Sequence, residues 1–268
     1  MVRRENRPVA PPRRADVGQF PRHPRAVLPS RAGVGPGPPR QARERRVERS
    51  ACAANGGVVT RWILCNNAGV NGGGPIDETP LQVWRWVFSV NIEGQFTGVS
   101  TFLPRFKQRG RRAHIVNTAS MAGIVPVIHV GAYASSKFAS VGFSMVLRDE
   151  LRGTGVGVSL LVPGTMATRI NATAAKAEAR LLGQDVKSGV VAANNAVLAQ
   201  GADPDRVGAQ VLEAMRERQF LIVTHRDFEP LVSRVHAEIE RAFREFDGRH
   251  GPDAAARMLL EGRNPVSS

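Results

Sequence analysis

From Val58 onward the chain alternates strand-like and helix-like segments, and this alternation limits its fold more than any other feature. Short apolar runs separated by helical stretches indicate βαβ units, because two parallel strands need a long crossover between them. The first strand candidate spans 58–65 and closes in the turn Asn66-Asn67-Ala68-Gly69. A helix capped by Thr79, with Pro80 in its first turn, is expected to run to about Lys107. Residues 114–118 form a short apolar strand, and 132–152 a helix ended by Gly153-Thr154-Gly155. The next strand, 156–162, stops at Pro163-Gly164. Residues 168–202 contain helical pieces, and Asp203 caps a helix that opens with Pro204. A last strand at 220–224 precedes a helix at about 228–246. The pattern implies an α/β domain on a parallel sheet.

Residues 1–57 follow different rules. The first 50 residues hold 9 of the 18 prolines, many arginines, no lysine and no sustained apolar period. Such a segment buries too little apolar surface to offset the ordering of its backbone, so disorder is expected there. The chain thus divides into a basic segment at 1–57, a domain at 58–250 and a C-terminal tail at 251–268. The division also explains the net charge of +14. Residues 1–61 carry 14 basic and 4 acidic residues, which leaves only +4 on the rest. The domain itself therefore does not read as a nucleic-acid binder. A basic tail could still attract an anionic surface, and that attraction would weaken steeply with salt.

No apolar run reaches the roughly 18 residues that a membrane-spanning helix needs. The arginine-rich start leads into prolines, not the apolar stretch of a secretory signal. Cys52 and Cys65 supply neither a disulfide framework nor a metal cluster, so a cytoplasmic setting and no metal are expected. Cys65 is expected to be a small buried residue. Trp84, Trp86 and Phe88 are expected to pack their helix, and His129 and His225 to be ordinary polar or pocket-edge residues.

Tyr133 and Lys137 stand four apart on a helix, which places both side chains on one face. An ammonium beside a phenol favours the phenolate, so the pair is expected to lower the phenol's pKa toward the range useful for general acid/base work. Ser120 follows a buried strand, where its hydroxyl could hold a substrate oxygen beside that phenol.

Further motifs surround this pair in a fixed order. They are Asn66-Asn67-Ala68-Gly69, Asn91, Asn117-Thr118-Ala119-Ser120, Tyr133-Ala134-Ser135-Ser136-Lys137 and Pro163-Gly164-Thr165-Met166-Ala167-Thr168. In this order and spacing the sequence resembles the short-chain dehydrogenase/reductase family, from about Ile63 to Thr168 and more loosely to about Thr224. The resemblance implies a Rossmann-type, doubly wound parallel sheet. It implies an oxidoreductase that interconverts a secondary alcohol and a ketone with NAD or NADP.

Carried onto the matched positions, the resemblance makes Tyr133 the general acid/base and Lys137 its electrostatic partner and a ligand of the nicotinamide ribose. Ser120 would orient the substrate oxygen, and Asn91 would hold a water that links Lys137 to solvent. Asn66, Ala68 and Gly69 would lie under the cofactor. Pro163, Gly164, Met166 and Thr168 would border its carboxamide and phosphate side. Family members commonly form dimers or tetramers through the helices at 81–107 and 132–152, so a homo-oligomer is expected. Substrate choice is expected from residues 169–202 and from side chains near 121–129, which mildly favour a hydrophobic alcohol or ketone.

One family element has no match. The glycine-rich turn between a first strand and helix, which binds the pyrophosphate, is absent from residues 1–57. Gly33-Val34-Gly35-Pro36-Gly37 follows no strand and opens no helix. The sheet is therefore expected to be incomplete at its N-terminal half, with one edge of the 58–65 strand unpaired. A truncated or altered family member, with an out-of-frame start, is the expectation that follows. The alternative is a catalytically inactive relative that serves as an oligomerisation partner.

Overall fold

The structure, a computed structural model, describes residues 62–109, 112–186 and 188–264. The segment 1–57, its Gly33–Gly37 run and the opening residues of the first strand lie outside the described residues, with the questions of charge and chain start that attach to them.

Four parallel strands form one sheet in chain order: β1 (Trp62–Asn66), β2 (Ala113–Thr118), β3 (Val156–Val162) and β4 (Leu221–Val223). The register pairs Ile63 with His114, Ile115 with Val158 and Leu160 with Leu221. Helices cover both faces, which is the doubly wound α/β arrangement. On one face lie α1 (Leu81–Phe88), α2 (Gly94–Arg109) and α3 (Gly131–Glu150). There Val99, Phe106, Leu147 and Leu151 close over Ile115 and Val158, with Leu64 packed against them. On the other face α6 (Pro204–Glu217) brings Val207 and Ala214 onto Val116, Leu161 and Ile222. Alternation along each strand produces this split, since successive side chains point to opposite faces. Ile115, Leu160, Val162 and Ile222 are almost wholly buried; each side chain of this size contributes about 1.5–3 kcal/mol by leaving water.

Several boundaries differ from those the sequence suggests. The single helix expected from Thr79 to Lys107 is two helices joined by a π-helical turn, Ser89–Glu93. Thr79 does not cap α1; its hydroxyl turns back to the Pro75 carbonyl at 2.8 Å, and Pro80 takes the cap position. Residues 168–202 contain α4 (Ile170–Leu182) and α5 (Ser188–Ala199). The ends of that excursion are stitched together, with Ala167 N–H donating to the Ala202 carbonyl and Ala202 N–H to the Thr165 carbonyl. Asp203 caps α6 as expected. After β4 come α7 (Glu229–Glu245) and a short α8 (Ala254–Leu260), the latter inside the expected tail.

Cys65 is exposed rather than buried. Among the described residues β1 pairs only with β2, and Trp62, Ile63 and Cys65 are all exposed. No helix among the described residues is long and apolar enough to cross a membrane.

Candidate active site

The C-terminal ends of β1, β2 and β3 point the same way, and the sequence-matched residues gather there. After β2 the backbone turns through a 3-10 segment, Met121–Gly123, with Ser120 at its cap. The Ser120 hydroxyl accepts the Ala122 N–H at 3.1 Å. The same hydroxyl lies toward the Tyr133 phenol arriving from α3 and works to lower its pKa. The turn lies against α3 so closely that a Cβ on Gly123 would stand 2.5 Å from the Lys137 carbonyl oxygen. Glycine at 123 is thus what lets the serine and the tyrosine meet.

Lys137 rises one helical turn beyond Tyr133, with Nζ 5.6 Å from the centre of the phenol ring. Nζ donates to the Thr118 carbonyl at 3.0 Å. The residue is 3 % exposed. Burial pushes its pKa down to about 8, because a desolvated ammonium is disfavoured. Burial also pushes the Tyr133 phenol up, opposed by the neighbouring Ser120 hydroxyl. The expected lowering of the phenol pKa therefore does not appear. Phenolate is disfavoured by desolvation, and the ammonium is committed to the Thr118 carbonyl and the ring face rather than to the phenol oxygen.

Asn91 sits in the π-helical turn, wholly buried. Its amide clasps the backbone of Val70, accepting from the N–H at 2.8 Å and donating to the carbonyl at 2.9 Å. It also donates to Ser136 Oγ at 2.8 Å, and that hydroxyl donates to the Tyr133 carbonyl. Asn91 thereby ties the loop after β1 to the helix that carries Tyr133. Single π-turns inside helices are frequent at functional sites.

The loop after β1 passes beside Lys137. A Cβ at Gly69 would lie 3.4 Å from Lys137 Nζ and 3.5 Å from Asn91 Oδ1, so a bare glycine leaves space at this spot. The Asn66 side chain points elsewhere. It donates to Asn117 Oδ1 at 2.8 Å and packs on Gly98 of α2, which makes it a brace of the strand end. Ala68 is exposed on the turn. Pro163 and Gly164 close β3, where Gly164 N–H donates to Thr224 Oγ1 at 3.1 Å and the rings of His225 and Phe228 pack over the glycine. Met166 bridges to Ala202, and its carbonyl accepts the Thr168 N–H at 2.8 Å.

Sequence reasoning missed Thr224 and His225 as supports of the Pro163-Gly164 turn, because residues 60 apart carry no shared local pattern. It also missed Glu178 of α4, whose carboxylate accepts the Gly73 N–H at 3.2–3.3 Å and holds that helix to the loop after β1. A separate cleft of about 430 Å³ lies at the opposite ends of the strands. It is lined by Arg148, Arg152, Arg218 and Phe220 and contains none of the residues above.

A family model described as short chain dehydrogenase matches residues 42–179, just over half of the chain. The chain is 44% identical over 124 residues to a 1-deoxy-11-beta-hydroxypentalenate dehydrogenase of Streptomyces exfoliatus, covering 46% of this chain and 45% of that one. It therefore spans under half the length of this curated relative. Among solved structures it resembles a short chain dehydrogenase/reductase from Burkholderia phymatum in complex with NAD. That likeness has a TM-score of 0.60 at 29% identity, over 77% of this chain and 69% of the other. A short-chain dehydrogenase from Novosphingobium aromaticivorans gives a TM-score of 0.57 at 34% identity, over 75% and 64%.

Proposed function

The chain belongs to the short-chain dehydrogenase family, and from that premise we propose that it interconverts a secondary alcohol and a ketone with NAD or NADP. The observation that carries this reading is the convergence of Ser120, Tyr133, Lys137 and Asn91 in one cluster, with Lys137 and Asn91 buried and Ser120 and Tyr133 half-buried. In it the serine hydroxyl lies toward the phenol and the ammonium lies against the phenol ring.

The residues present fit the nicotinamide end of such a cofactor, since the glycine at 69 keeps free the space beside Lys137 and Asn91. Lys137 and Tyr133 would hold its ribose. Ala68 and Gly69 would lie beneath it, and Pro163, Gly164, Met166 and Thr168 would border its carboxamide and phosphate side. Asn66 would shape the turn rather than touch the cofactor. When bound there, the nicotinamide supplies or accepts a hydride at the carbinol carbon.

The chain's own groups handle the proton. In reduction the Tyr133 O–H donates to the carbonyl oxygen while the Ser120 hydroxyl holds that oxygen in place; in oxidation the phenol takes the proton back. A phenol raised by burial is fully protonated at neutral pH, which suits it to donate. Lys137 is the neighbouring cation that would stabilise the phenolate left behind, and its own depressed pKa lets it exchange a proton near pH 8. Asn91 fixes the loop and the helix that must stay in register for this transfer. Val127 and Ile128, exposed beside the Met121–Gly123 turn, support a hydrophobic substrate. Exposed Phe96 and Phe102 on α2, with Phe138, Met145 and Val146 on α3, support pairing with a second copy through these helices.

Titration with NADH and with NADPH, followed by nicotinamide fluorescence, tests the reading. Saturable binding that favours one cofactor supports it, and a folded chain that binds neither contradicts it.

A further inference from the structure

Behind the reacting groups, two buried polar rungs join α3 to the π-turn and to the first turn of α2. Asn91 meets Ser136, and one turn further on Gln95 meets Ser140. The first rung is explained by the clasp on Val70. The second has no role in the proton transfer described above, yet Gln95 is 1 % exposed and Ser140 fully buried. Burying an amide is unfavourable unless its groups are bonded, and the bonds of Gln95 have a particular destination. The Ser140 hydroxyl donates to Gln95 Oε1 at 2.8 Å, which orients the amide. The Nε2 group then donates to the Thr118 carbonyl at 3.2 Å. That is the same oxygen that receives Lys137 Nζ at 3.0 Å.

Thr118 is the last residue of β2, where the strand ladder ends. A terminal carbonyl of this kind is held by whatever side chains reach it. Its two lone pairs are occupied by one neutral donor anchored in the helix pair and by one ammonium. The neutral donor is fixed through Ser140, whereas the lysine reaches the oxygen at the end of four methylenes. The rigid partner sets where the carbonyl stands, and the carbonyl sets where the ammonium stands. We propose that Gln95, aimed by Ser140, is a positioning residue for Lys137, acting through the Thr118 carbonyl they share. The inference rests on the reading of Lys137 as the partner of Tyr133, but its structural content can be tested without cofactor or substrate. Tyr133 is the titratable neighbour that the structure places against Lys137.

The test uses the full chain labelled with ¹³C at lysine Cε. Lys107, Lys137, Lys176 and Lys187 are its only lysines, so each signal is resolvable and Lys137→Met assigns the one in question. The native Lys137 signal titrates near its depressed value of about 8. Gln95→Met keeps the length of the side chain and removes both polar ends. With the carbonyl unfixed, the ammonium loses part of its anchor and the midpoint falls further. At about pH 8 the ammonium-to-amine ratio drops roughly threefold. A midpoint that stays in place, or that rises because the lysine now has the carbonyl to itself, overturns the proposal. Ser140→Ala, which leaves the amide in place but unaimed, moves the midpoint in the same direction and decides the matter by the same criterion if Gln95→Met does not fold. The readout separates the two ideas: a chain that binds no cofactor contradicts the functional reading and leaves this titration unaffected.

Discussion

Replacing Lys137 by methionine should abolish turnover and, at neutral pH, make the fold more stable. The ammonium is 3 % exposed, so solvent does little to screen it. Its pKa falls from 10.5 to about 8, with burial as the cause. At about 1.4 kcal/mol per pH unit, that fall corresponds to roughly 3 kcal/mol by which the fold disfavours the charged form. Below pH 8 both the folded and the unfolded chain carry the proton, and the whole penalty applies. Between about 8 and 10.5 the folded chain has released a proton that the unfolded chain still binds, so stability rises with pH. Above 10.5 both forms are neutral and the penalty is gone. Methionine fills a similar volume without charge. It forfeits the contact with the Tyr133 ring, worth about 1 kcal/mol, while Gln95 continues to satisfy the Thr118 carbonyl. The net gain expected at pH 7 is about 1–3 kcal/mol, read from urea unfolding of both chains. The gain should shrink as the pH approaches 10.5. A variant that is no more stable at pH 7, or one whose advantage ignores pH, would refute this account of the lysine.

Three further outcomes follow from the same geometry. Tyr133 is the single tyrosine of the chain, so tyrosinate absorbance reports it alone. Its midpoint should lie above the ordinary 10 in the folded chain and return to it in urea, the phenol being fully protonated at pH 7. Gly123→Ala would set a Cβ 2.5 Å from the Lys137 carbonyl oxygen, and should destabilise the fold by about 1–3 kcal/mol in urea unfolding while lowering turnover. His129 holds φ at +62°, a left-handed conformation that costs a non-glycine residue about 1 kcal/mol or more. His129→Gly should therefore raise the urea midpoint slightly, the relief exceeding the extra entropy of an unfolded glycine.

The parts of this molecule that are legible in its sequence are the local ones. The strands at β2, β3 and β4 and the helix bearing Tyr133 follow from apolar periodicity and from turn residues such as Pro163-Gly164, whose influence extends only a few positions. The pairing of Tyr133 with Lys137 is legible for the same reason, as an i, i+4 relation on a helix. Asp253, which accepts the Ala256 N–H and caps α8, was an available signal in a segment read as tail. The π-turn was not legible, since Ser89–Glu93 carries no residue that distinguishes five-residue from four-residue bonding. Cys65 reads as buried because its strand is apolar, and exposure came from which neighbours the strand has. The phenol's raised pKa likewise depends on burial and on where the ammonium is anchored, both set by residues such as Gln95 and Thr118 that lie far apart in sequence.

The proposed reaction requires Tyr133 to move the proton in an alcohol–ketone interconversion. Absorbance at the reduced nicotinamide band, followed with a panel of hydrophobic ketones, tests it most directly when the native chain and Tyr133→Phe are compared. Cofactor-dependent turnover is expected in the native chain and should fall by a factor of about 10² to 10⁴ in the variant while cofactor binding is retained. Turnover that survives the loss of the phenol, or a native chain that binds cofactor yet reduces no ketone and oxidises no secondary alcohol, would contradict it.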